Sequence, residues 1–505
     1  MLPTPQERAG AGLLPLRSSL SRVHCVVACA ALIVAFGLMG SRGIWDPDEG
    51  RYTNVALNML DSGNWVDPRR NDDVGHWTKP PLTYWTLAAS MGLFGRNPWA
   101  ARLPVALAFL ASVALTWRLA RRLAPGAEAV AALAFATMLL PALAAQLITT
   151  DFLLTTLEAL ALTAYAEGRF SVAGPRMRWW LAMWAAFGLA FLTKGPPTLL
   201  PLVAIQVFEW LVPPRAPDRG RLIASAIAFL MVAVPWYAAV SVRHPGLLQY
   251  FLSAEVVGRV ASDRFGRNGE WYGWAVVYVP TLLIGALPWS ATLVRWARTL
   301  PAKARRWRVG TERLADAEEL LLSLWVIVPL LVFCVARSRL PLYLLPLFVP
   351  IALLIARQWQ LERRALPSLR WMVVTVAGLT VVRILMIVWP TPQNAADWAA
   401  EIQDRSADPV TEVVFINDMA RYGLRLHLGA EVERVSLAAI AEPGFNPLFD
   451  DTLAQELIEA EPGVVYVAQD KHWPSVKRRI NAIGYRDVQL GEPYRNRVFF
   501  AVADR

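Results

Sequence analysis

The sequence predicts a polytopic α-helical membrane protein that ends in a small α/β domain. The 505-residue chain is 55% hydrophobic and contains 22 tryptophans, a composition too apolar for an ordinary soluble enzyme. Apolar runs long enough to cross a hydrocarbon core of about 30 Å recur from residue 24 to residue 390. Beyond residue 390 the apolar runs shorten to strand length and alternate with helix-like stretches.

The apolar runs predict about 11 to 13 transmembrane helices. The clearest candidates are 24–41, 100–117, 128–148, 151–167, 179–193, 197–213, 222–242, 274–294, 318–336, 340–356 and 371–390. A shorter run at 82–95 ends in FGRNP, and we interpret it as interfacial. The first run follows several arginines, as a signal peptide would. We nevertheless expect it to be retained, because it is long, lacks a small-residue cleavage site and leads into further spans.

Charge placement predicts the orientation of these spans. With the N-terminus inside, every nominal cytoplasmic loop is short and basic, as the positive-inside rule requires. These loops are 118–127, 168–178, 214–221, 295–317 and 357–370. The net charge of +10 therefore reflects membrane topology and does not indicate a nucleic-acid partner. All three cysteines fall in apolar runs, which predicts neither a disulfide framework nor a thiolate metal site.

The resulting organisation has three parts. Residues 1–23 form a cytoplasmic N-terminal segment. Residues 24–390 form the transmembrane domain, which includes an outer loop at 42–99. Residues 391–505 form an α/β domain on the outer side of the membrane.

Polar motifs that are far apart in sequence share the outer face in this arrangement. They read WDPDEGRY, HWTKPPL, TTD, LTKGPP, EVVGRVASDRFGRNGEW and SRLPLYLLP. Their basic residues break the positive-inside pattern, and most lie beside a proline or glycine turn. Such residues either snorkel to lipid headgroups or bind a common anionic ligand, for which phosphate is the natural candidate. The candidates are Lys79, Lys194, Arg259, Arg264, Arg267 and Arg339.

Carboxylates accompany these bases. Asp48 is either a solvated cap of the helix that begins near residue 50, or a general base or substrate ligand at the mouth of a cavity. In the second case one of Asp46 and Glu49 is structural. Asp151 stands at the edge of an apolar run. An aspartate well inside such a span costs roughly 2.5–3.5 kcal/mol to insert into the membrane. It therefore either faces a cavity or a basic partner, or ends its helix in the headgroup layer.

These features together suit a substrate with a lipid tail, a phosphate and a sugar. The tail would lie in the bilayer, the phosphate on the bases, and the sugar in a cavity ringed by aromatic side chains. Tryptophan also gathers at membrane interfaces for physical reasons, so the tryptophan content alone does not indicate sugar binding.

The motifs resemble those of membrane glycosyltransferases with the GT-C fold, over about residues 30 to 355. They are most similar to bacterial lipid A 4-amino-4-deoxy-L-arabinose transferases, which are related to protein O-mannosyltransferases. The matching segments are Asp48-Glu49-Gly50-Arg51-Tyr52, Lys79-Pro80-Pro81, Thr150-Asp151, Leu192-Thr193-Lys194-Gly195-Pro196 and Ser338-Arg339-Leu340-Pro341-Leu342-Tyr343.

The resemblance implies an inverting enzyme of the bacterial inner membrane, which moves a sugar from a polyprenyl-phosphate donor to an envelope acceptor such as lipid A at the periplasmic face. It implies that Asp48 is the catalytic carboxylate, acting as a base or, with a phosphate acceptor, orienting the substrate. Asp151 would support the same cavity. Lys79, Lys194, Arg259 and Arg339 would hold the leaving phosphate, and Tyr343 would hydrogen-bond to donor or acceptor. The predicted substrate-binding set is completed by Glu49, Arg51, Tyr52, Arg264 and Arg267.

The chain also departs from the family pattern. The family has a glutamate before Lys-Pro-Pro, associated with a metal site, where this chain has Thr78. The outer loop 245–273 contains no histidine to serve as a second ligand. We therefore predict no metal ligands and no certain cofactor, although a divalent ion stays compatible with the sequence. Arg339 replaces the commoner lysine, and the sugar and acceptor are left open.

Two other functions compete with this one. A protein O-glycosyltransferase keeps the reaction and changes the acceptor. A lipid-linked sugar transporter belongs to a different class, and transporters place ionisable residues near the bilayer midplane within repeated halves. Here the charged motifs lie at span ends on one side, without an evident duplication, which favours an enzyme.

Overall fold

A computed structural model of the chain describes residues 14–171, 176–214, 219–253, 258, 268–438, 444–459 and 462–504. Its helices up to residue 388 are α1 Leu14–Phe36, α2 Asp48–Ser62, α3 Leu82–Phe94, α4 Pro98–Leu123, α5 Glu128–Thr137, α6 Leu139–Ala144, α7 Thr150–Arg169, α8 Met177–Lys194, α9 Leu200–Leu211, α10 Arg219–Arg243, α11 Leu247–Tyr250, α12 Gly273–Gly285, α13 Ser290–Arg306, α14 Gly310–Ala315, α15 Ala317–Val335, α16 Phe348–Leu361 and α17 Leu369–Val388. Short 3₁₀ turns at Pro196–Leu199 and Pro341–Leu347 lead into α9 and α16.

Membrane-spanning helices form this part of the chain. Five described helical segments are long and apolar enough to cross a bilayer: Pro98–Leu123, Ile223–Arg243, Ala317–Val335, Pro341–Leu361 and Leu369–Val388. Shorter apolar helices accompany them at Val23–Phe36, Glu128–Thr137, Pro196–Leu211 and Gly273–Gly285. The predicted class, a polytopic helical membrane protein with a C-terminal α/β part, is confirmed.

Two predicted spans are broken helices. The run 128–148 divides at Met138, whose backbone is extended, and the second piece begins just before Pro141. A proline at 141 cannot continue a helix from 137, because its ring would clash with the carbonyl one turn earlier. The run 274–294 likewise divides before Ser290, and the N–H of Leu139 bonds to the carbonyl of Leu287, so the two breaks meet.

The helix ends that adjoin the predicted cytoplasmic loops contact one another. Arg118 and Arg122 at the end of α4 both contact Glu167 near the end of α7. Gln360 at the end of α16 donates to the carbonyl of Pro125 after α4, at 2.9 Å. The charge pattern predicted this grouping of basic ends.

The C-terminal part is a six-stranded sheet with helices packed on both faces. Its elements are α18 Ala395–Arg405, β1 Glu412–Ile416, α19 Leu424–Leu428, β2 Glu431–Ser436, β3 Asp451–Thr452, α20 Leu453–Glu459, β4 Val464–Gln469, α21 Trp473–Ile483, β5 Tyr485–Gln489 and β6 Arg497–Asp504. The strand order is β3-β2-β1-β4-β6-β5. The first four strands in that order are parallel, and β6 runs antiparallel to both of its neighbours.

The sheet domain docks on the outer loop through the segment before α2. Asp46 is 2% exposed, and its carboxylate accepts a hydrogen bond from the N–H of Gly423 at 3.0 Å. Gly50 must be glycine here, because a Cβ atom would lie 1.8 Å from Asp46 Oδ1 and 2.5 Å from Gly423 N. Arg70 of the outer loop pairs with Asp450 at 2.5 Å.

This joint predicts a pH-dependent stability. Burial raises the pKa of Asp46 to about 7, and its Oδ2 atom has no hydrogen-bond partner. The folded protein therefore holds a proton that the unfolded chain releases near pH 4. Stability should fall as pH rises from about 4 to 7, by at most about 1.4 kcal/mol per pH unit.

Asp46→Asn should make stability less dependent on pH. Its melting temperature should exceed that of the native protein at pH 8 but not at pH 5. Asp404→Asn, which changes an exposed carboxylate of α18 away from the joint, is the matched control. A pH profile of Asp46→Asn that ran parallel to that of the native protein would contradict the assignment.

Candidate functional site

A large apolar cavity opens among the membrane helices. Its volume is about 560 Å³. Its walls come from α7, α8, α10, α11 and α15, from the outer-loop segment 77–80, and from the turns that lead into α9 and α16. Most lining side chains are aliphatic or aromatic, and the polar ones include Thr78, Lys79, Glu158, Lys194, Ser338 and Tyr343. The cavity is thus apolar over most of its wall, with two lysines among its few polar groups.

Asp151 and Lys194 meet at this cavity. Asp151 is the first-turn aspartate of α7, and Lys194 is the last residue of α8. Their side chains form an ion pair that is almost entirely buried. The Lys194 ammonium also lies 4.6 Å from the centre of the Tyr343 ring. Three motifs that span almost two hundred residues of sequence therefore contribute to one cluster.

Asp48 begins α2, and Tyr52 on the same helix lies close to the cluster of Asp151, Lys194 and Tyr343. Asp48 is exposed and pairs with Arg51 one turn later. Burial raises the pKa of the Tyr52 phenol; the charge of Arg51 lowers it, and the carboxylates of Asp48 and Asp151 raise it further. Tyr52 therefore lies near both aspartates. Asp48 itself does not line the cavity.

Lys79 lines the same cavity from the outer loop. The buried imidazole of His76 lies close enough to Lys79, Arg51 and Arg70 for their charges to lower its pKa, after the larger effect of burial. Of the predicted set, Lys79, Lys194 and Tyr343 line the cavity, and Asp151 pairs with Lys194. Tyr52 lies near Asp151, Arg51 and Asp48, so α2 connects Asp48 to this group without placing it in the cavity.

Glu49 lies elsewhere in a closed network. It is 3% exposed, and its carboxylate pairs with Arg42 at 2.6 Å and with Arg102 at 2.9 Å. The backbone N–H groups of Trp45 and Ile148 also donate to it. Although burial opposes the charge, the two guanidinium groups lower the pKa of Glu49 to about 2. Its oxygens are thus occupied by groups that hold the outer loop against α4 and the start of α7.

Arg339 is likewise engaged with the protein. It is 3% exposed and donates to the backbone carbonyls of Asn268, Glu270 and Cys334 at 2.6–3.1 Å. It secures the loop before α12 to the end of α15, and its neighbour Ser338 lines the cavity instead. The predicted bases Arg259, Arg264 and Arg267 lie outside the described residues.

The described side chains near Thr78 hydrogen-bond to one another and to neighbouring bases. The Thr78 hydroxyl hydrogen-bonds to His76 Nε2 at 2.7 Å. Asp67 accepts from Arg243 at 3.0 Å and contacts His244 at 3.3 Å. In the described part of the outer loop, no group of three histidine, cysteine or carboxylate side chains comes together. A neutral histidine–threonine pair occupies the position instead.

Glu158 is a site residue that the sequence reasoning missed. It is 3% exposed, lies seven residues after Asp151 on α7, and lines the cavity. Seven residues are two helical turns, so both carboxylates lie on one face of α7. A carboxylate within an apolar run is itself a functional signal in a membrane helix, and it was available in the sequence.

Comparisons with known proteins agree with this architecture. Residues 78–241 match the family model described as dolichyl-phosphate-mannose-protein mannosyltransferase. Undecaprenyl phosphate-α-4-amino-4-deoxy-L-arabinose arabinosyl transferase of Pseudomonas aeruginosa (strain LESB58) is 32% identical over 339 residues, which are 65% of this chain and 58% of that protein. The second such transferase of Pseudomonas fluorescens (strain Pf0-1) is 32% identical over 361 residues, 68% of this chain and 63% of that protein. The chain thus spans about three fifths of the length of these relatives.

Solved structures show the same fold. The crystal structure of ArnT from Cupriavidus metallidurans bound to undecaprenyl phosphate superposes with a TM-score of 0.74 and 22% identity, covering 94% of this chain and 97% of that one. The oligosaccharyltransferase of Archaeoglobus fulgidus in the apo form gives a TM-score of 0.53 at 13% identity, covering 96% of this chain and 74% of that one. The chain is therefore a multi-pass membrane protein with the GT-C glycosyltransferase fold, and it is related in sequence to the bacterial aminoarabinose transferases and to the protein mannosyltransferase family.

Proposed function

We propose that this protein transfers a sugar from a polyprenyl-phosphate donor to an envelope acceptor such as lipid A. The observation that carries the proposal is the 560 Å³ apolar cavity with Lys79 and Lys194 among its few polar lining groups. A long isoprenoid tail is compatible with the apolar walls, and a phosphoester requires cations where the tail ends. The relatives described above are named as transferases of a sugar linked to undecaprenyl phosphate, which is a donor of this class.

The residues around the cavity suit the steps of such a transfer. Lys79 and Lys194 hold the phosphate and neutralise the charge that it gains as the sugar leaves. Asp48, which is exposed and does not line the cavity, accepts the proton of the attacking acceptor hydroxyl, or orients the acceptor if its nucleophile is already a phosphate. Asp151 positions Lys194, and Arg51 and Tyr52 position Asp48. Glu49 and Arg339 stabilise the walls without contacting substrate.

The site faces the periplasm in this proposal. Residues 1–23 lie in the cytoplasm, residues 24–390 form the membrane domain with the outer loop 42–99, and residues 391–505 form the periplasmic domain. The basic loops support this direction through the positive-inside rule. Reporter fusions after residues 122 and 178 should read as cytoplasmic and a fusion after 390 as periplasmic. A cytoplasmic reading at 390 would reverse the orientation.

The acceptor is tested directly. The purified protein is incubated with radiolabelled polyprenyl-phosphate sugars and either lipid A or an envelope protein fraction. We expect label in lipid A. Label in protein alone would establish the O-glycosyltransferase alternative, which the family model over residues 78–241 favours. Movement of labelled donor across a vesicle bilayer without any product would instead establish a transporter.

A further inference from the structure

Glu158 of α7 is a buried carboxylate to which the proposed transfer gives no role. It is 3% exposed and lines the apolar cavity together with Leu154, one turn before it on the same helix. The other two carboxylates of α7, Asp151 and Glu167, both form ion pairs. Among the residues that the structure describes, Glu158 forms neither a hydrogen bond nor an ion pair, and Lys194 is the charged group that acts on it.

The geometry of α7 directs Glu158 toward the charged end of the cavity. Glu158 lies seven residues after Asp151, which is two turns or about 10.5 Å along the same face of the helix. Helical side chains lean toward the helix N-terminus, and Asp151 lies in the first turn of α7. Lys194 therefore has Asp151 as its ion-pair partner and the Glu158 carboxyl as a second neighbour.

The charges at the cavity favour a protonated Glu158. In the described part of the chain, Lys79 and Lys194 are the cations of the lining, and Asp151 already pairs with Lys194. An ionised Glu158 would bring the carboxylates to two, which would cancel both ammonium charges and leave none for a phosphate. A carboxylate without an ion pair in an apolar wall is also costly, and it is relieved by binding a proton.

The elements packed on α7 offer that carboxyl no other acid or base. These elements are α8, α4 and the turn before α16. From α8 comes Lys194, and from the turn comes Tyr343. The contact with α4 includes the hydroxyl pair Ser112 and Thr156. Across the cavity, Tyr237 of α10 is the remaining titratable group of the described lining, and phenols stay neutral at physiological pH.

Departure of the sugar creates a second negative charge in this cavity. The donor phosphodiester carries one charge, and the polyprenyl phosphate that leaves carries two until it binds a proton, with a pKa of about 6. Apolar walls solvate a dianion poorly, so a proton supplied at this point stabilises the leaving group. An ordinary carboxyl group has a pKa of about 4.3, so in equal surroundings the proton passes to the phosphate spontaneously.

We propose that Glu158 is the acid that protonates the departing polyprenyl phosphate. As the bond between the sugar C1 atom and the phosphate oxygen breaks, its electron pair stays on that oxygen, and the carboxyl proton of Glu158 passes to the phosphate. The leaving group departs as a monoanion, and Glu158 becomes a carboxylate. Asp48 takes the proton of a hydroxyl acceptor and releases it to solvent, from which Glu158 regains one. The inference rests on the proposed function, which places the donor phosphate in this cavity.

Binding of undecaprenyl phosphate tests this proton without requiring transfer. The full-length protein in detergent is titrated with this lipid at about pH 5.5 and about pH 8, on either side of the phosphate pKa. Native affinity should differ little between them, because Glu158 supplies the proton. Glu158→Gln keeps a hydrogen-bond donor but has no proton to give. Its Kd should equal the native value at pH 5.5 and exceed it by about 10- to 100-fold at pH 8.

Glu318→Gln is the matched control, because Glu318 begins another membrane helix and does not line the cavity. It should follow the native protein at both pH values. Glu158→Gln is expected to fold with at least the native melting temperature, since an amide needs no proton to stay neutral. Tighter binding by Glu158→Gln at both pH values would indicate an ionised Glu158 that repels phosphate. That result, an equal loss at both pH values, or native affinity throughout would overturn the inference.

Transfer kinetics separate this inference from the proposed function. At pH 8, Glu158→Gln should lower kcat for sugar transfer by about 10²-fold, and Glu158→Asp should retain more activity because it keeps an acid. A Glu158→Gln variant that transfers sugar at the native kcat would overturn the inference and leave the proposed function standing. If the native protein transfers no sugar but shows the expected binding pattern, the proposed function fails, and Glu158 still shares its proton with bound polyprenyl phosphate.

Discussion

Replacement of Lys194 with methionine is expected to lower kcat/KM for sugar transfer by about 10²- to 10³-fold. Lys194 places a buried ammonium group at the cavity, and loss of one such group that stabilises developing charge typically costs about 2.7–4 kcal/mol. Steady-state transfer assays over a range of polyprenyl-phosphate sugar concentrations measure this effect. Lys477→Met, which removes an exposed lysine of the sheet domain, should retain native activity.

A second variant separates chemistry from folding. Lys194→Met leaves Asp151 as an unpaired buried charge, which is itself destabilising. The Lys194→Met/Asp151→Asn double variant removes that charge and should restore thermal stability without restoring transfer. Recovery of activity in the double variant would show that Lys194 only balances Asp151 and does not bind the donor.

Asp48→Asn is expected to reduce transfer to a hydroxyl acceptor by about 10²- to 10⁴-fold, the usual contribution of a general base. The donor KM should change little, because Asp48 does not line the cavity. Asp61→Asn, at the other end of α2, removes a carboxylate that pairs with Arg96 and Arg425 and should leave kcat near native. If the Asp48→Asn variant is expressed normally and keeps the native kcat, Asp48 is not the general base.

Much of this architecture could be predicted from the sequence because it depends on local patterns. The lengths of the apolar runs and the charges of the loops can be read directly from the sequence. Together they predicted that the polar motifs share one face of the membrane. The pairing of Asp151 with Lys194 beneath Tyr343 agrees with the predicted convergence, since a carboxylate and a lysine at helix ends in a membrane require partners.

The remaining features depend on tertiary contacts that have no local signature. Glu49 and Arg339 resemble ligands in sequence, yet the first is held by Arg42 and Arg102 and the second by backbone carbonyls. The break at Met138 depends on Pro141 and on a contact with Leu287 from a distant segment. Glu158 is the exception, because a carboxylate inside an apolar run is a signal that the sequence itself carries.

The most direct test of the shared cavity is photocrosslinking with a polyprenyl phosphate that carries a diazirine near the phosphate. Peptide mapping should locate the label in residues 191–201 and 336–347, whose side chains line the cavity from two separate segments, and Lys194→Met should diminish it. Label confined to the lipid-exposed surface of α17, with no change in Lys194→Met, would contradict the existence of a common lipid-phosphate site.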